Sequence, residues 1–527
     1  MCRTPYRRSR VLTMSGIISA LRMQAQATPG RTALHDGNAA LTYAELILQV
    51  DRFAASLEAQ CCRTAGLLAD NGIDWIVADL AALSNGTTLV PLPPYFSESQ
   101  LHHVIEASSM DTVILDKLSV GRLPLATGFE REKKDFGNLC LVQRPGGVDS
   151  GNPHSEAAAK VTFTSGSTGR PKGVCLSADT LDHVAMRLCG AFSDIDIARH
   201  LCVMPLATLL ENVAGVYVPL MLGTTVHVPS LGVLGLYGSS RIDVGRFKQT
   251  IDSVAAESLI LQPQLLRELT AATAADAGKS SLKFVAVGGA RVADSDLQDA
   301  TAAGIPAFQG YGLSECASVV ALNRPGAVRQ GSVGKPLDGV NVHISPDGEI
   351  LVENQSMLGY LGDDEHGGTT VATGDLGHLD DDGFLYVTGR RKNVFITSFG
   401  RNVSPEWPEA ELLHQPEIAQ ACVFGESQPF NTAIVCPADA AVTPKAIAAA
   451  ILSANRSLPD YARVADFVVA DQPFAVANGL LTETGKPRRE AIALRYIVAE
   501  DSSSATGGHG SRPHRLTNEK RTTHETV

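Results

Sequence analysis

The chain has 527 residues, too many for one ordinary hydrophobic core, so two or more domains are expected. Hydrophobic residues at 44% and charged residues at 19% describe a globular protein, and with aromatics at 5% the cores must be aliphatic and alanine-rich. A formal net charge of −12 argues against a nucleic-acid-binding surface as the main function, while leaving room for a local basic groove around a nucleotide.

Residues 1–16 are basic but lack the apolar stretch and cleavage site of a leader; they read as a flexible arm, or as sequence upstream of a start at Met14. Ile17 to Gln26 has helical periodicity and stops before Thr28-Pro29-Gly30. Asp36-Gly37-Asn38 between two short apolar runs signals a hairpin. Thr42 is a candidate N-cap for a helix from Tyr43 to Gln60, with Leu46, Val50, Phe53 and Leu57 on one face. Gly66 to Leu68, Asp74 to Ser84 and Thr88 to Leu92 read as strand, helix, strand; Ser97 to Ser108 and Thr112 to Leu115 repeat the pattern. The first 115 residues thus look like one doubly wound α/β layer.

Residues 117–160 are less regular, with Pro145-Gly146-Gly147, Gly151 and Pro153 marking loops. Asp179 to Phe192 is helical, and strands at Leu201 to Pro205 and Thr224 to Val228 flank an apolar helix. Leu259 to Leu261, Phe284 to Val287 and Ala307-Phe308 are further short strands with helices between them. From Gly334 to Tyr360 the pattern turns to alternation punctuated by Gly and Pro, predicting a small antiparallel β barrel or sheet. Past Gly389 come a two-strand entry, a helix from Pro405 to Leu413, strands near 420–424 and 432–435, a helix from Pro444 to Asn455 and a strand at 466–469. The expected division is therefore an arm at 1–16, a large α/β domain at 17–388, a small α+β domain at 389–500 and a tail at 501–527 too polar to offset its ordering entropy. His509, His514 and His524 in that tail read as solvated rather than as metal ligands.

Ten scattered cysteines form no C-x-x-C and no zinc spacing, the pattern of reduced thiols in a cytoplasmic protein; adjacent Cys61 and Cys62 read as buried helix residues. No segment reaches the roughly 18 apolar residues of a membrane helix, so at most peripheral membrane contact is expected.

Five stretches carry chemistry. The first is VTFTSGSTGRPKGVCLS, Val161 to Ser177. A short strand feeds Thr164, Ser165, Gly166, Ser167, Thr168 and Gly169, whose glycines let backbone N–H groups approach an anion and whose hydroxyls add donors; Lys172 adds a point charge suited to phosphate. It lacks the G-x-x-x-x-G-K-[ST] order of a Walker A loop, and composition alone fits a flexible surface loop equally well. The second is Gln309-Gly310-Tyr311-Gly312-Leu313-Ser314-Glu315, preceded by Gly288-Gly289-Ala290 after a short strand. Its bland reading is a tight turn around a packed tyrosine; its functional reading makes Tyr311 a stacking face and Glu315 a hard oxygen ligand. The third is Thr373-Gly374-Asp375-Leu376-Gly377, followed by Gly389-Arg390-Arg391-Lys392-Asn393; an isolated Gly-Asp could simply cap a turn. The fourth is Thr397 to Trp407, and the fifth is Asn478 to Arg489, with Lys486 in a Gly/Thr-rich loop where a lysine is ordinarily just solvated.

Together, in this order and across about residues 17 to 497, these stretches resemble the motifs of the adenylate-forming superfamily of acyl-CoA synthetases, firefly luciferase and peptide-synthetase adenylation domains. The last two look most similar to long-chain fatty acyl-CoA synthetases. The resemblance implies an enzyme that uses ATP, Mg2+ and CoA to turn a carboxylic acid into a thioester through acyl-AMP, with a mobile C-terminal domain. It implies that Thr164 to Gly169 and Lys172 hold phosphates, and that Gly288, Gly289, Ala290, Gly310, Tyr311, Gly312 and Ser314 line the nucleotide. It further makes Glu315 the Mg2+ ligand, Asp375 and Arg390 the ribose contacts, Lys392 the pivot and Lys486 the adenylation lysine. Thr208, Gly289 and Gly312 would border the acyl pocket. Two positions depart from the pattern: Asn393 stands where Asp is common after the pivot, and Thr208 stands where His is common in the Pro-Leu-x-His-x-x-Glu segment, here Pro205 to Glu211. No pocket aspartate of the peptide-synthetase kind is found, which favours a plain carboxylic acid, and a fatty acid first. An acyl carrier protein in place of CoA, and a non-catalytic nucleotide or acyl binder, are the alternatives.

Overall fold

The computed structural model describes residues 15–117, 119–123, 129–144, 157–164, 171–237, 241–275, 280–363, 368–399, 401–482, 485–498 and 514–515. The chain forms two compact units. The first comprises residues 1–290, 297–373 and 378–386; the second comprises 291–296, 374–377 and 387–527.

The first unit is α/β. An eight-stranded sheet runs in the order Gly359–Tyr360, Lys172–Leu176, Lys160–Thr164, Thr88–Pro91, Thr64–Leu68, Thr112–Asp116, Leu139–Gln143, Glu130–Phe136. Its central strands are buried on both faces, as crossover helices require. One of those helices, Ile73–Asn85, has ten buried residues including Trp75, and it stops at Gly86 in the left-handed conformation (φ 79°). A nine-stranded sheet takes in Ser258–Leu261, Phe284–Val287 and Ala307–Tyr311, which pair in parallel in that order. Its far edge is the hairpin Thr32–His35 with Ala40–Thr42. The first 115 residues are thus shared between two sheets and do not form the single layer expected, because the hairpin pairs with Thr225–His227, nearly two hundred positions away. Residues 130–143, in the stretch read only as less regular, make an antiparallel hairpin that extends the eight-stranded sheet. The loop marks from Pro145 to Pro153 lie outside the described residues.

Local signals explain the helices. The helix Tyr43–Ala59 starts at a capping box in which Thr42 and Glu45 satisfy each other's backbone N–H groups. It ends where Cys62 N–H reaches the Leu57 carbonyl and Cys61 N–H that of Glu58, with Cys61 at φ 54°. Cys61 and Cys62 are therefore a helix terminus and not a buried helix pair: Cys61 is exposed, and only Cys62 is shielded enough for burial to push its thiol up. The alternating region after Gly334 forms a four-stranded sheet in the order Asn341–Ile344, Glu349–Glu353, Thr370–Leu379, Leu385–Arg390.

The second unit is α+β. Strands Ile418–Phe424, Asn431–Pro437 and Val464–Val469 form its sheet, and helices Glu406–Leu413 and Pro444–Ala454 supply residues to the aliphatic core around Leu412, Ile447, Ile451 and Phe467. Most of 501–527 and of the 1–16 arm lies outside the described residues. Against the expectation for the tail, His514 and Arg515 add a short antiparallel strand beside Phe467 and Asp466. No helix among the described residues is long and apolar enough to cross a membrane.

Candidate active site

In the first unit, strands Lys160–Thr164 and Lys172–Leu176 pair antiparallel, with Thr164 opposite Lys172. The two ends of the hydroxyl-glycine stretch are thereby fixed; Ser165, Gly166, Ser167, Thr168 and Gly169 lie outside the described residues. The base of this hairpin is anchored by a residue the motifs did not flag. Lys160 is buried, and its Nζ donates to Asp79 at 2.6 Å, to the Tyr217 hydroxyl at 2.8 Å and to the Asn212 side chain. Tyr217 in turn donates to Asp79 at 2.6 Å. Burial pulls the Lys160 ammonium down and Asp79 pushes it back up, so its charge rests on that carboxylate.

Strands Phe284–Val287 and Ala307–Tyr311 place Gly288 against Gly310: a Cβ on Gly288 would lie 3.7 Å from the Gly310 carbonyl oxygen and 3.9 Å from Leu210. Gly289 has φ +84° and, with Ala290, is exposed. At Gly312 a Cβ would sit 1.6 Å from the Ser318 carbonyl oxygen, so only glycine fits. Half-buried Tyr311 ends the strand, and its carbonyl accepts from Val320 N–H at 2.8 Å. Ser314 opens a single turn, Ser314–Cys316, that carries Glu315 outward, and Ala317 and Ser318 follow at φ 50° and 106°, a strained reversal for non-glycine residues.

That turn is held from outside. Gln355 Nε2 donates at 2.6 Å to the carbonyls of both Cys316 and Val319, and Met357 N–H donates to the Glu315 carbonyl at 2.9 Å. The same segment then pairs with the phosphate-side strand, Gly359 opposite Cys175 and Tyr360 opposite Val174. Tyr360 donates its hydroxyl to Glu315 Oε1 at 2.9 Å, and Lys172 Nζ lies 5.1 Å from the centre of its ring. Lys172, Tyr360 and Glu315 are thus brought into one row. Glu315 Oε2 accepts no hydrogen bond from the described residues. A half-buried carboxylate with one oxygen left over, close to a phosphate-suited lysine, fits Mg2+, which takes one or two carboxylates and completes its shell with water and phosphate.

The acyl-side segment is Met204–Asn212. Thr208 is half-buried, donating its N–H to the Pro205 carbonyl at 2.8 Å and accepting from Asn212 N–H at 3.0 Å. Glu211 is fully buried, accepts from Met204 N–H at 3.2 Å, and lies 3.6 Å from His200 Nε2. The helical run Glu211–Tyr217 has i→i+5 hydrogen bonding, and a Cβ on its Gly215 would meet Glu211 Oε1 at 2.5 Å.

The remaining candidates belong to the second unit. Buried Asp375 pairs with Arg390 Nε at 2.7 Å, and Arg391 N–H donates to the Gly374 carbonyl at 2.9 Å. Lys392 is exposed on the turn that follows, and Asn393 donates to Glu406 Oε1 at 2.5 Å. The Thr397 to Trp407 stretch begins at the turn of a hairpin in which Phe395–Ile396 pairs with Asn402–Val403, and that turn carries Phe399, 75% exposed. Lys486 is exposed on a turn in which Thr482 N–H donates to the Lys486 carbonyl at 2.7 Å and Lys486 N–H to Thr482 Oγ1 at 3.0 Å. Just beyond it, Arg489 anchors the turn on Glu409 with bonds of 2.6 and 2.7 Å.

A phosphate-side hairpin, a glycine-lined strand end and a carboxylate turn in an α/β unit, with exposed lysines on turns of an α+β unit, define a nucleotide-dependent ligase class. The sequence profile described as AMP-binding enzyme matches residues 21–365, and that described as AMP-binding enzyme C-terminal domain matches residues 392–497. The chain belongs to the AMP-binding enzyme family, within the adenylate-forming superfamily. It is 27% identical over 429 residues to the 2-succinylbenzoate–CoA ligase of Bacillus licheniformis, covering 77% of this chain and 86% of the relative. It is 27% identical over 511 residues to a long-chain-fatty-acid–CoA ligase of Mycobacterium bovis, covering 80% and 85%. A fatty acid–[acyl-carrier-protein] ligase of Mycobacterium marinum is 25% identical, covering 90% and 97%. Among solved structures, the o-succinylbenzoate coenzyme A synthetase of Bacillus subtilis in complex with ATP and magnesium ion shares the fold, with a TM-score of 0.69, 24% identity and coverage of 89% and 98%.

Proposed function

We propose that this enzyme activates a carboxylic acid with ATP and joins it to the thiol of CoA, and that the acid is a fatty acid. The row Lys172–Tyr360–Glu315 carries the reading: a lysine suited to phosphate beside a carboxylate suited to Mg2+ is what a triphosphate needs from a protein. When bound, Mg2+ would be held by Glu315 and supplies neutralisation of phosphate charge. The protein's own part in the first half-reaction is positioning. Thr164 to Gly169 and Lys172 hold the outer phosphates, Asp375 and Arg390 hold the ribose, and Lys486 stabilises the charge that develops as a carboxylate oxygen attacks the α-phosphorus and pyrophosphate leaves. In the second half-reaction the thiol sulfur attacks the acyl carbon and AMP leaves. Lys392 serves there as the pivot about which the second unit turns, and the 397–405 stretch lines the thiol path.

The fatty acid reading draws on the apolar Met204–Leu210 segment, where Thr208 replaces a bulkier polar residue, and on the fatty-acid-specific relatives. Carboxylate-dependent ATP–pyrophosphate exchange over saturated fatty acids, succinylbenzoate and benzoate tests it. Highest kcat/KM with a fatty acid is the expected result; preference for an aromatic acid would replace the substrate and keep the chemistry. Delivery to an acyl carrier protein is a second reading, favoured by the near full-length match to a carrier-protein ligase. Competition between CoA and a phosphopantetheinylated carrier for one preformed acyl-AMP decides between them.

A further inference from the structure

The 355–361 segment touches both halves of the phosphate-side machinery and belongs to none of the five motifs. Through its backbone it is tied to the Glu315 turn at Met357 (2.9 Å) and to the Lys172 strand at Leu358 N–H with Cys175 (2.9 Å) and Leu361 N–H with Gly173 (2.7 Å). Through side chains it is tied by Gln355 to the carbonyls of Cys316 and Val319, and by Tyr360 to both elements: the hydroxyl to Glu315 Oε1 and the ring beneath Lys172 Nζ. A carboxylate on a one-turn helix at the protein surface would otherwise be free to choose among rotamers, and ordering a glutamate side chain costs conformational entropy. The hydroxyl removes that freedom and occupies Oε1, so the oxygen offered outward is Oε2.

We infer that Tyr360 is a positioning residue for magnesium-linked nucleotide binding: its hydroxyl aims Glu315 Oε2 at the cation, and its ring keeps Lys172 level with it. This rests on the assignment of Glu315 and Lys172 to Mg-ATP under the proposed function. In this role the residue acts through those two neighbours and not on a reacting atom.

The test reads binding and not turnover. The full-length chain is titrated with ATP by calorimetry, once in chelator and once in saturating Mg2+, so that the Mg2+-linked tightening is measured for each variant. In Tyr360→Phe the ring and its strand pairing remain. The Mg2+-linked tightening should shrink about fivefold, as loss of a hydrogen bond to a charged group implies, with chelator affinity and thermal midpoint unchanged. Tyr360→Leu removes the ring as well, and ATP affinity in chelator should then also fall, by about threefold. Glu315→Gln should abolish most of the linked tightening, and adding Tyr360→Phe to it should cost nothing further, because the hydroxyl works through that carboxylate. The inference is overturned if Tyr360→Phe keeps the wild-type tightening, if its affinity falls equally with and without Mg2+, or if wild-type ATP binding gains nothing from Mg2+. Should no acid support pyrophosphate exchange while the linked tightening and its loss are both seen, the activity reading fails and the role of Tyr360 stands.

Discussion

Two lysines show how differently this chain uses the same side chain. Lys160 lies at the base of the phosphate-side hairpin, buried, with Asp79, Asn212 and Tyr217 taking its three protons. Lys486 lies on a turn of the second unit, exposed. The first has a complete set of fixed partners and no capacity left for a ligand; the second sits at the surface, as its proposed part in adenylation requires. A buried, fully satisfied lysine is a device of structure, and an exposed one on a turn is available to chemistry.

The contrast breaks most sharply at Lys486. Lys486→Ala should lower carboxylate-dependent ATP–pyrophosphate exchange by about a hundredfold or more, with the thermal midpoint moving by no more than a degree or so. A retained exchange rate would remove this lysine from the adenylation step. Lys160→Met should do the reverse in kind: unfolding in urea should show a loss of about 3–5 kcal/mol, because Asp79 is left buried without its cation. The double variant Lys160→Met with Asp79→Leu should recover much of that loss, and failure to recover would mean that the pair does more than satisfy itself.

Gly312 sharpens the boundary between the two uses, since it is both a candidate binding residue and a steric necessity. Gly312→Ala should cost about 3 kcal/mol or more in chemical denaturation, because the new methyl would overlap the Ser318 carbonyl, a backbone atom that cannot move aside cheaply. The smallest effect is expected at His227. Burial, then the nearby His35, Arg199 and His200, pull its imidazole down to about 4. Its folded pKa is below the ordinary value near 6.5, so the unfolded chain binds the proton more readily. The contribution is fully present above about pH 6.5 and is lost as pH falls toward 4. With the ring partly open to solvent, that loss amounts to about 1–2 kcal/mol. His227→Gln should flatten the stability profile in that window, read as the thermal midpoint against pH.

Elements set by neighbouring residues were legible in the sequence. Thr42 and Glu45 announce the helix they cap, and the Asp36-Gly37-Asn38 turn announces its hairpin. What was not legible depends on partners far along the chain. The same hairpin could not be assigned to the nine-stranded sheet, because its neighbour Thr225–His227 carries no local mark of that pairing. Lys160 looked like one more polar residue before a strand until Asp79, Asn212 and Tyr217 arrived from three other places. At the site, Glu315, Asp375 and Arg390 could be named from motifs, and the last two do meet. Tyr360 could not be named, since nothing in Gly359-Tyr360 tells of a carboxylate 45 positions earlier. Cys61 misled because a helix-like run of apolar residues hides the left-handed residue that ends it.

The pairing of Gly359–Tyr360 with Lys172–Leu176 has a consequence for solubility. Those two residues form one outer border of the eight-stranded sheet, and beneath them lies a strand whose Val174, Cys175 and Leu176 are wholly buried. An uncovered border of that kind offers unpaired N–H and C=O groups to a second molecule and is a template for aggregation. Changes that fray 355–361 should therefore show first as lost soluble yield and only afterwards as lost turnover, since the same short segment covers that strand and holds Glu315 beside Lys172.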